Sequence, residues 1–339
     1  MGSTDDGHAF GEHGVVAHAG AFHTRTTSHG LLVSGRMSVL PAAEPTQGLA
    51  EFERQRPRLL GICYRILGSL ADAEDVVQET WLRWSQVAVE VENAEAYLTT
   101  VATRQALHRL RRLRAQREVY PGTWLPEPVN TASGALDDPA AVAELADSLS
   151  TALLVVLETL SPLERAAFVL HEVFQRPYSE IAAAVGRQEA AVRQLVHRAR
   201  THVDAGHARY RADRATHAAV VRRFLAACEN ADVDALLSVL APDVVVVTDG
   251  GGRAKAVPRP VHGREKVARL LLGFTTKAPA GTVLSLEEIN GALGLVARLD
   301  GQPIGAISVI IGPAGIDALH AVANPDKLAS LTGGPAHIV

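Results

Sequence analysis

The chain has 339 residues, of which 47% are apolar and 21% charged, and its formal net charge is −4. That length exceeds one ordinary domain of about 100–200 residues, and the composition excludes a chain disordered throughout. A near-neutral balance argues against a protein that coats nucleic acid over its whole surface, but not against local basic patches.

Residues 1–48 carry His8, His13, His18, His23 and His29 among Gly, Ser and Thr, with no helical or strand period. They read as a disordered extension, and Met37 offers an alternative start. Residues 49–120 read as helices. The first has apolar positions at Phe52, Leu59, Leu60, Ile62, Ile66 and Leu67, a helical period interrupted by Pro57. The second, ADAEDVVQETWLRW, places Ala73, Val77, Trp81 and Trp84 on one side and Asp72, Asp75, Gln78, Glu79 and Arg83 on the other. The third starts near Asn93, a good cap. Between residues 104 and 118 it holds six arginines against the single acid Glu118. Residues 121–139 read as a linker, with a helix expected to start near Pro139; the acids Glu127, Asp137, Asp138, Glu144 and Asp147 face no Lys or Arg between 121 and 152.

Residues 140–205 return to helix. Ser161-Pro162 opens one helix. Ser179 is expected to cap a short one, which Gly186 ends. A longer helix then begins near Gln188. Its buried stripe is Val192, Leu195, Val196 and Ala199, while Arg193, Gln194, His197, Arg198 and Arg200 point elsewhere. A short helix, a tight turn with Gly and a longer basic helix form the helix-turn-helix pattern, whose second helix enters the major groove. On the residues alone, base reading competes with a solvated basic face. The arginine-rich third helix stays open between nucleic acid, an acidic partner and plain solvation, with Tyr97 a candidate stacking surface for an unpaired base.

Residues 214–328 change class. A helix over THAAVVRRFLAACENAD precedes a strand at VVVV. Further strands are expected at VLSLEEING, LGLVARLDGQ and IGAISVIIG, with the helix GREKVARLLLGF between. This predicts an α+β domain with a largely antiparallel sheet. Cys63 and Cys228 have no CxxC spacing, so no disulfide, metal or cofactor site is expected. With no apolar run of membrane length and no signal-peptide pattern, the expected location is the cytoplasm, with no membrane partner.

Three runs together, FERQRPRLLGICYRILGSLADAEDVVQETWLRW, AYLTTVATRQALHRLRRLRAQREVYPGTWLPEP and LSPLERAAFVLHEVFQRPYSEIAAAVGRQEAAVRQLVHRAR, resemble an extracytoplasmic-function (group IV) bacterial sigma factor. The marks WLPEP at 124–128, DGGG at 249–252 and NPDKL at 324–328 resemble the subgroup with a fused C-terminal SnoaL-like domain. The resemblance implies a multidomain fold: a region 2 helical bundle and a region 4 helix-turn-helix, both all-α, followed by an α+β SnoaL/NTF2-like domain and a tail from 329. It implies RNA polymerase core and promoter DNA as partners, and no catalysis. Asp72, Asp75, Gln78 and Glu79 would meet the β′ clamp helices, with region 4 at the β flap. Tyr97, Arg104, His108, Arg109 and Arg112 would serve the −10 element, and the loop from Gln86 to Asn93 would capture a flipped base. The acidic linker would lie near the RNA path. Arg187, Gln188, Glu189, Arg193, Gln194, His197 and Arg198 would serve the −35 element.

Two positions depart from the family pattern. Gln188 stands where Ser or Thr commonly caps the helix, which weakens the cap by about 1 kcal/mol, and His108 stands where an acid or Asn is usual. In the C-terminal domain the leading expectation is regulation through Asp249, Gly250, Gly251 and Gly252 with Asn324, Pro325, Asp326, Lys327 and Leu328. The alternatives are a plain hairpin and terminal turn, a pocket for a small ligand, and an acid–base set of Asp249, His262 and His320. At the level of the whole chain, the alternative to a sigma factor is a ligand-responsive helix-turn-helix regulator.

Overall fold

The computed structural model describes residues 45–87, 91–132, 150–206 and 212–332. The His-rich tract, Met37, the centre of the 86–93 loop, the helix expected near Pro139 and most of the acidic linker lie outside the described residues.

Helices α1 (Pro45–Leu67), α2 (Leu70–Trp84) and α3 (Ala94–Arg117) form the first bundle. Their inner faces supply Leu59, Ile62 and Ile66, then Ala73, Val76 and Val77, then Leu98, Ala102, Ala106 and Leu110. Ser69 caps α2 by accepting from the Asp72 amide at 3.2 Å, and Asn93 caps α3 by accepting from the Ala96 amide at 2.9 Å. The interruption expected at Pro57 does not occur, since α1 runs straight through it. A proline inside a helix costs about 3 kcal/mol; buried Phe52 on one side of it and Leu59 through Leu67 on the other anchor both halves to the same core.

The second helical unit comprises α4 (Thr151–Glu158), α5 (Pro162–Phe168) with a π turn over Val169–Val173, α6 (Tyr178–Val185) and α7 (Glu189–Gly206). Ser161 and Glu164 form a reciprocal capping box. Gly186 ends α6 at φ 66°, in the left-handed region. Ser179 is not the cap of α6: the helix begins at Tyr178, and Pro177 before it accepts the first helical bond from Ile181, with no side chain capping the end. Proline already holds the extended entry conformation that a capping residue would otherwise have to be held in. The two helical units share one core, continuous from Phe52 to Val203.

The third unit contains α8 (Arg214–Glu229), α9 (Val233–Val239), β1 (Leu240–Asp249), β2 (Val261–His262), α10 (Arg264–Lys277), β3 (Val283–Ile289), β4 (Ala292–Leu299), β5 (Gln302–Gly312) and β6 (Gly315–Val322). The strand order is β2-β1-β6-β5-β4-β3, antiparallel except for the β1–β6 pair. Asn290-Gly291 and Asp300-Gly301 turn the β3–β4 and β4–β5 hairpins with positive φ at both residues, as such two-residue turns need. Helices α8, α9 and α10 bury one face of the sheet, with Phe224, Leu236 and Val267 against Val246, Leu295 and Leu319. On the other face Ile289, Val296, Ala306 and Val322 form a separate cluster with Leu125, Leu328 and Leu331, against which Val155 of α4 packs.

Candidate nucleic-acid and interdomain interfaces

Arg187 and Gln188 just before α7, and Glu189, Arg193, Gln194, His197, Arg198 and Arg200 on it, are exposed, and Val192, Leu195, Val196 and Ala199 are buried. The expected split between stripe and face is therefore the one present. Gln188 occupies the start of the helix, where its carbonyl accepts from the Val192 amide at 3.0 Å. The arginines are held back toward the body of the unit. Arg193 pairs with Glu189 at 3.0 Å and lies 5.1 Å from the Tyr178 ring. Arg198 pairs with Glu164 at 2.9 Å and Arg200 with Glu172 at 2.5 Å. Desolvation raises the Glu164 and Glu172 carboxyls, but hydrogen bonds outweigh it and hold both below the usual carboxylate range, from Ser161 and Arg198 at the first and from Arg200 and His171 at the second.

The acids of α2 and the arginines of α3 meet. Arg109 donates to Asp72 at 2.7 Å and to Asp75 at 2.6 Å, with Glu79 at 3.8 Å. Gln105 joins Glu79 at 3.3 Å. The residue expected to hold phosphate is thus clamped by three residues expected to face a protein. Arg104 donates to the Ala183 carbonyl of α6 at 2.7 Å, so α3 touches the helix-turn-helix unit directly. His108, Arg111 and Arg112 are exposed. Tyr97 lies against Trp84, ring centroids 5.7 Å apart. The same contact between units is completed by Glu95, which pairs with both Arg58 and Arg176, and by Phe174, beside whose ring Arg58 and Arg65 lie at 5.8 and 5.0 Å.

All three units converge on Trp124 and Asp249. Arg117, at the end of α3, lies 3.4 Å from the Trp124 ring centroid, and Lys327 lies 3.9 Å from it. Arg117 also pairs with Glu158 of α4 at 2.5 Å, and Glu158 pairs with buried Arg165. Asp249 is fully buried. It accepts from the Tyr120 hydroxyl at 2.6 Å, the Leu125 amide at 2.9 Å, the Gly251 amide at 3.1 Å and Lys327 at 2.6 Å. Asn324 donates to the Tyr120 hydroxyl at 2.9 Å. Pro325–Lys327 forms a 3-10 turn that delivers the lysine, and Leu328 fills the apolar cluster behind it. Burial pulls the Lys327 ammonium down to about 8, against the opposing pull of Asp249. Gly251 and Gly252 sit at φ 59° and 71°. A Cβ on Gly252 would lie 2.7 Å from the Pro121 ring, and one on Gly251 would strike Asn324, so this turn admits glycine only.

Residues 52–116 match the family model Sigma-70 region 2, and residues 150–203 match Sigma-70, region 4. The ECF RNA polymerase sigma factor SigJ of Mycobacterium tuberculosis is 42% identical over 299 residues, covering 85% of this chain and 94% of that protein. The chain belongs to the ECF sigma factors. Another relative, the probable ECF RNA polymerase sigma factor SigI of Mycobacterium tuberculosis, is 33% identical over 290 residues, covering 84% of this chain and 97% of that one. The crystal structure of Mycobacterium tuberculosis SigJ superposes with a TM-score of 0.68 at 38% identity, covering 83% of this chain and 98% of that chain.

As a sigma factor, the protein directs promoter recognition and transcription initiation by RNA polymerase core. Within this sigma factor, the residues 124–131 are not a free acidic linker. Glu127 is buried and accepts from the Leu70 amide at 2.8 Å at the start of α2, while its own amide donates to the Gly68 carbonyl. An unpaired helix N-terminus favours a carboxylate there, and this outweighs leaving the residue in solvent. Asn130 bridges to Ile289, and Asn290 accepts from the Val129 amide at 3.0 Å while donating to Thr151 at 3.2 Å. Sequence reasoning missed Tyr120, Trp124, Glu127, Glu158 and Asn290 as site residues; the WLPEP run was the one available signal. Asp249, His262 and His320 are not brought into one hydrogen-bonded set. Asp249 is engaged as described, His262 is exposed, and the Nδ1 of buried His320 has no hydrogen-bond partner among the described residues. Among those residues no helix is long and apolar enough to cross a membrane.

Proposed function

We propose that region 2 and region 4 of this sigma factor work through separate faces, and that its C-terminal domain holds them together until promoter and polymerase part them. On this reading Asp75, Gln78 and Glu79, with Asp72 behind them, meet the β′ clamp helices, and region 4 meets the β flap. Tyr97, Arg104, His108 and Arg112 serve the −10 element, and Arg109 is released to it when its acids turn to polymerase. Arg187, Gln188, Glu189, Arg193, Gln194, His197 and Arg198 serve the −35 element. Asp249 through Gly252 and Asn324 through Leu328 are the regulatory contact.

One observation carries this reading: the bond between Arg104 of α3 and Ala183 of α6, at 2.7 Å. Elements centred at −10 and −35 are some 25 base pairs apart, about 85 Å at 3.4 Å per pair. Helices in direct contact cannot reach both, so the helical units must separate on a promoter. The network at Trp124, which ties Arg117, Glu158, Lys327 and Asp249 together, supports the C-terminal domain as the restraint.

Run-off transcription with core polymerase tests it. The full chain should give promoter-specific transcripts, and Lys327→Met, which loosens the restraint, should change their yield. Binding by the holoenzyme should weaken steeply with salt, because phosphate contacts release counterions. A protein that binds DNA tightly and specifically by itself, yet never supports initiation, would be a helix-turn-helix regulator instead.

A further inference from the structure

We infer that Gln194 is the side chain that sets base preference in the −35 element, and that the base it reads is adenine. The inference rests on the reading of α7 as the −35 helix and goes further by assigning one contact.

The arginines of α7 look like the obvious readers, yet each is already engaged. Arg193 is drawn back to Glu189 at 3.0 Å and to the Tyr178 ring, Arg198 to Glu164 at 2.9 Å and Arg200 to Glu172 at 2.5 Å. Arg187, just before α7, donates to the carbonyl of Gly186 at 2.9 Å. Exposed pairs of this kind are weak and yield to phosphate without difficulty, so they suit anchors whose approach is set in advance. Gln194 differs. It is exposed, and its side-chain carboxamide makes no hydrogen bond among the described residues. It sits in the second turn of α7, within the part of a recognition helix that meets base edges.

The surroundings of Gln194 favour close approach. One turn earlier on the same side stand Ala190 and Ala191. Their small side chains let the helix sit deep in the groove, and an alanine methyl suits contact with the thymine methyl of a neighbouring pair. A glutamine amide carries a donor and an acceptor in one plane. Adenine presents the complementary pair, N7 accepting and N6–H donating, on its major-groove edge. Gln188 and His197 are also exposed. The first lies at the helix start and the second a turn farther along, so Gln194 holds the central position between them.

The test uses the full chain in holoenzyme, selecting from promoters randomised across the −35 element. Wild type should prefer adenine at one position. Gln194→Ala should lose that preference by about tenfold or more while the other positions hold theirs. Gln194→Arg should turn the same position to guanine. Replacing that adenine by 7-deazaadenine should weaken wild type and leave Gln194→Ala unaffected. Unchanged preference in both variants, an equal loss at every position, or a shift produced by Gln188→Ala in its place overturns the inference. If wild type selects no −35 element at all, the parent reading falls with it; if it selects one that Gln194 variants leave intact, the inference alone falls.

Discussion

A single carboxylate organises the junction between the helical units and the sheet. Asp249 is fully buried, yet hydroxyl, amide and ammonium donors surround it. Burial and the neighbouring Asp249 together raise the Tyr120 phenol well above its ordinary range, so Tyr120 stays a donor. Breaking such a pair from one side leaves a buried charge unmatched, at a cost of about 3–5 kcal/mol. Asp249→Asn and Lys327→Met should each lower stability in urea denaturation, and the double variant should lose clearly less than the sum. Additive losses would mean that the two side chains do not act as a pair. His320 gives a second prediction. It lies opposite Val247 and Ser308 in the sheet, and burial brings its imidazole down to about 4 from 6.5. Between those values the unfolded chain binds a proton that the fold refuses. Stability therefore falls as pH drops below about 6.5, by about 1.4 kcal/mol per unit from this residue, until about 4. The melting temperature of His320→Gln should decline less steeply over that range; parallel curves would show that His320 does not titrate there.

At the scale of elements, α2 shows how a helix can be finished by a residue far from it in sequence. Ser69 closes one amide of its first turn, and Glu127 closes another from 57 residues away. Burial raises the Glu127 carboxyl, and the α2 amides and Ser69 pull it back down. Glu127→Ala should cost about 1–2 kcal/mol, with faster hydrogen exchange at Leu70–Ala73. If α2 is the polymerase-facing helix, core binding should weaken as well, and exchange unchanged in that turn would refute the capping role. This element also marks the limit of what the sequence discloses. Asn93, Ser161 and Gly186 are legible because each acts within one turn of itself. Pro57 and Ser179 were misread because a distant core and a preceding proline override the local preference. α9 and β6 are missed for lack of a strong period: α9 spans seven residues, and GIDALHAV alternates poorly. The motifs WLPEP, DGGG and NPDKL are visible as strings, but their meeting at Trp124 joins positions 203 residues apart, between Trp124 and Lys327, and no local spacing encodes that.

At the scale of the whole molecule, the closed arrangement must be stable enough to persist and weak enough to open. Its contacts suit that requirement. The two helical units share an apolar core, and polar contacts flank it where α3 meets the second unit, from Arg104 to the Ala183 carbonyl and from Glu95 to Arg176. Polymerase and promoter can shift such an equilibrium only by their differential affinity for the open form. Moving it from 1:99 to 99:1 takes about 5.5 kcal/mol, which a few phosphate contacts and a helix-to-clamp contact together can supply. Distance reporters make the opening measurable. Both native thiols are buried, and burial pushes Cys228 up to about 12 and Cys63 higher still, so both react slowly with dyes. Arg111→Cys on α3 and His202→Cys on α7 place two exposed thiols on the two units. Energy transfer between dyes there should be high in the free protein and should fall when core polymerase and promoter are added. Lys327→Met should lower it before either is present, because the restraint at Asp249 is gone. Transcripts produced at unchanged transfer would show that the units initiate without separating, and the C-terminal domain would then have to act by some route other than holding them closed.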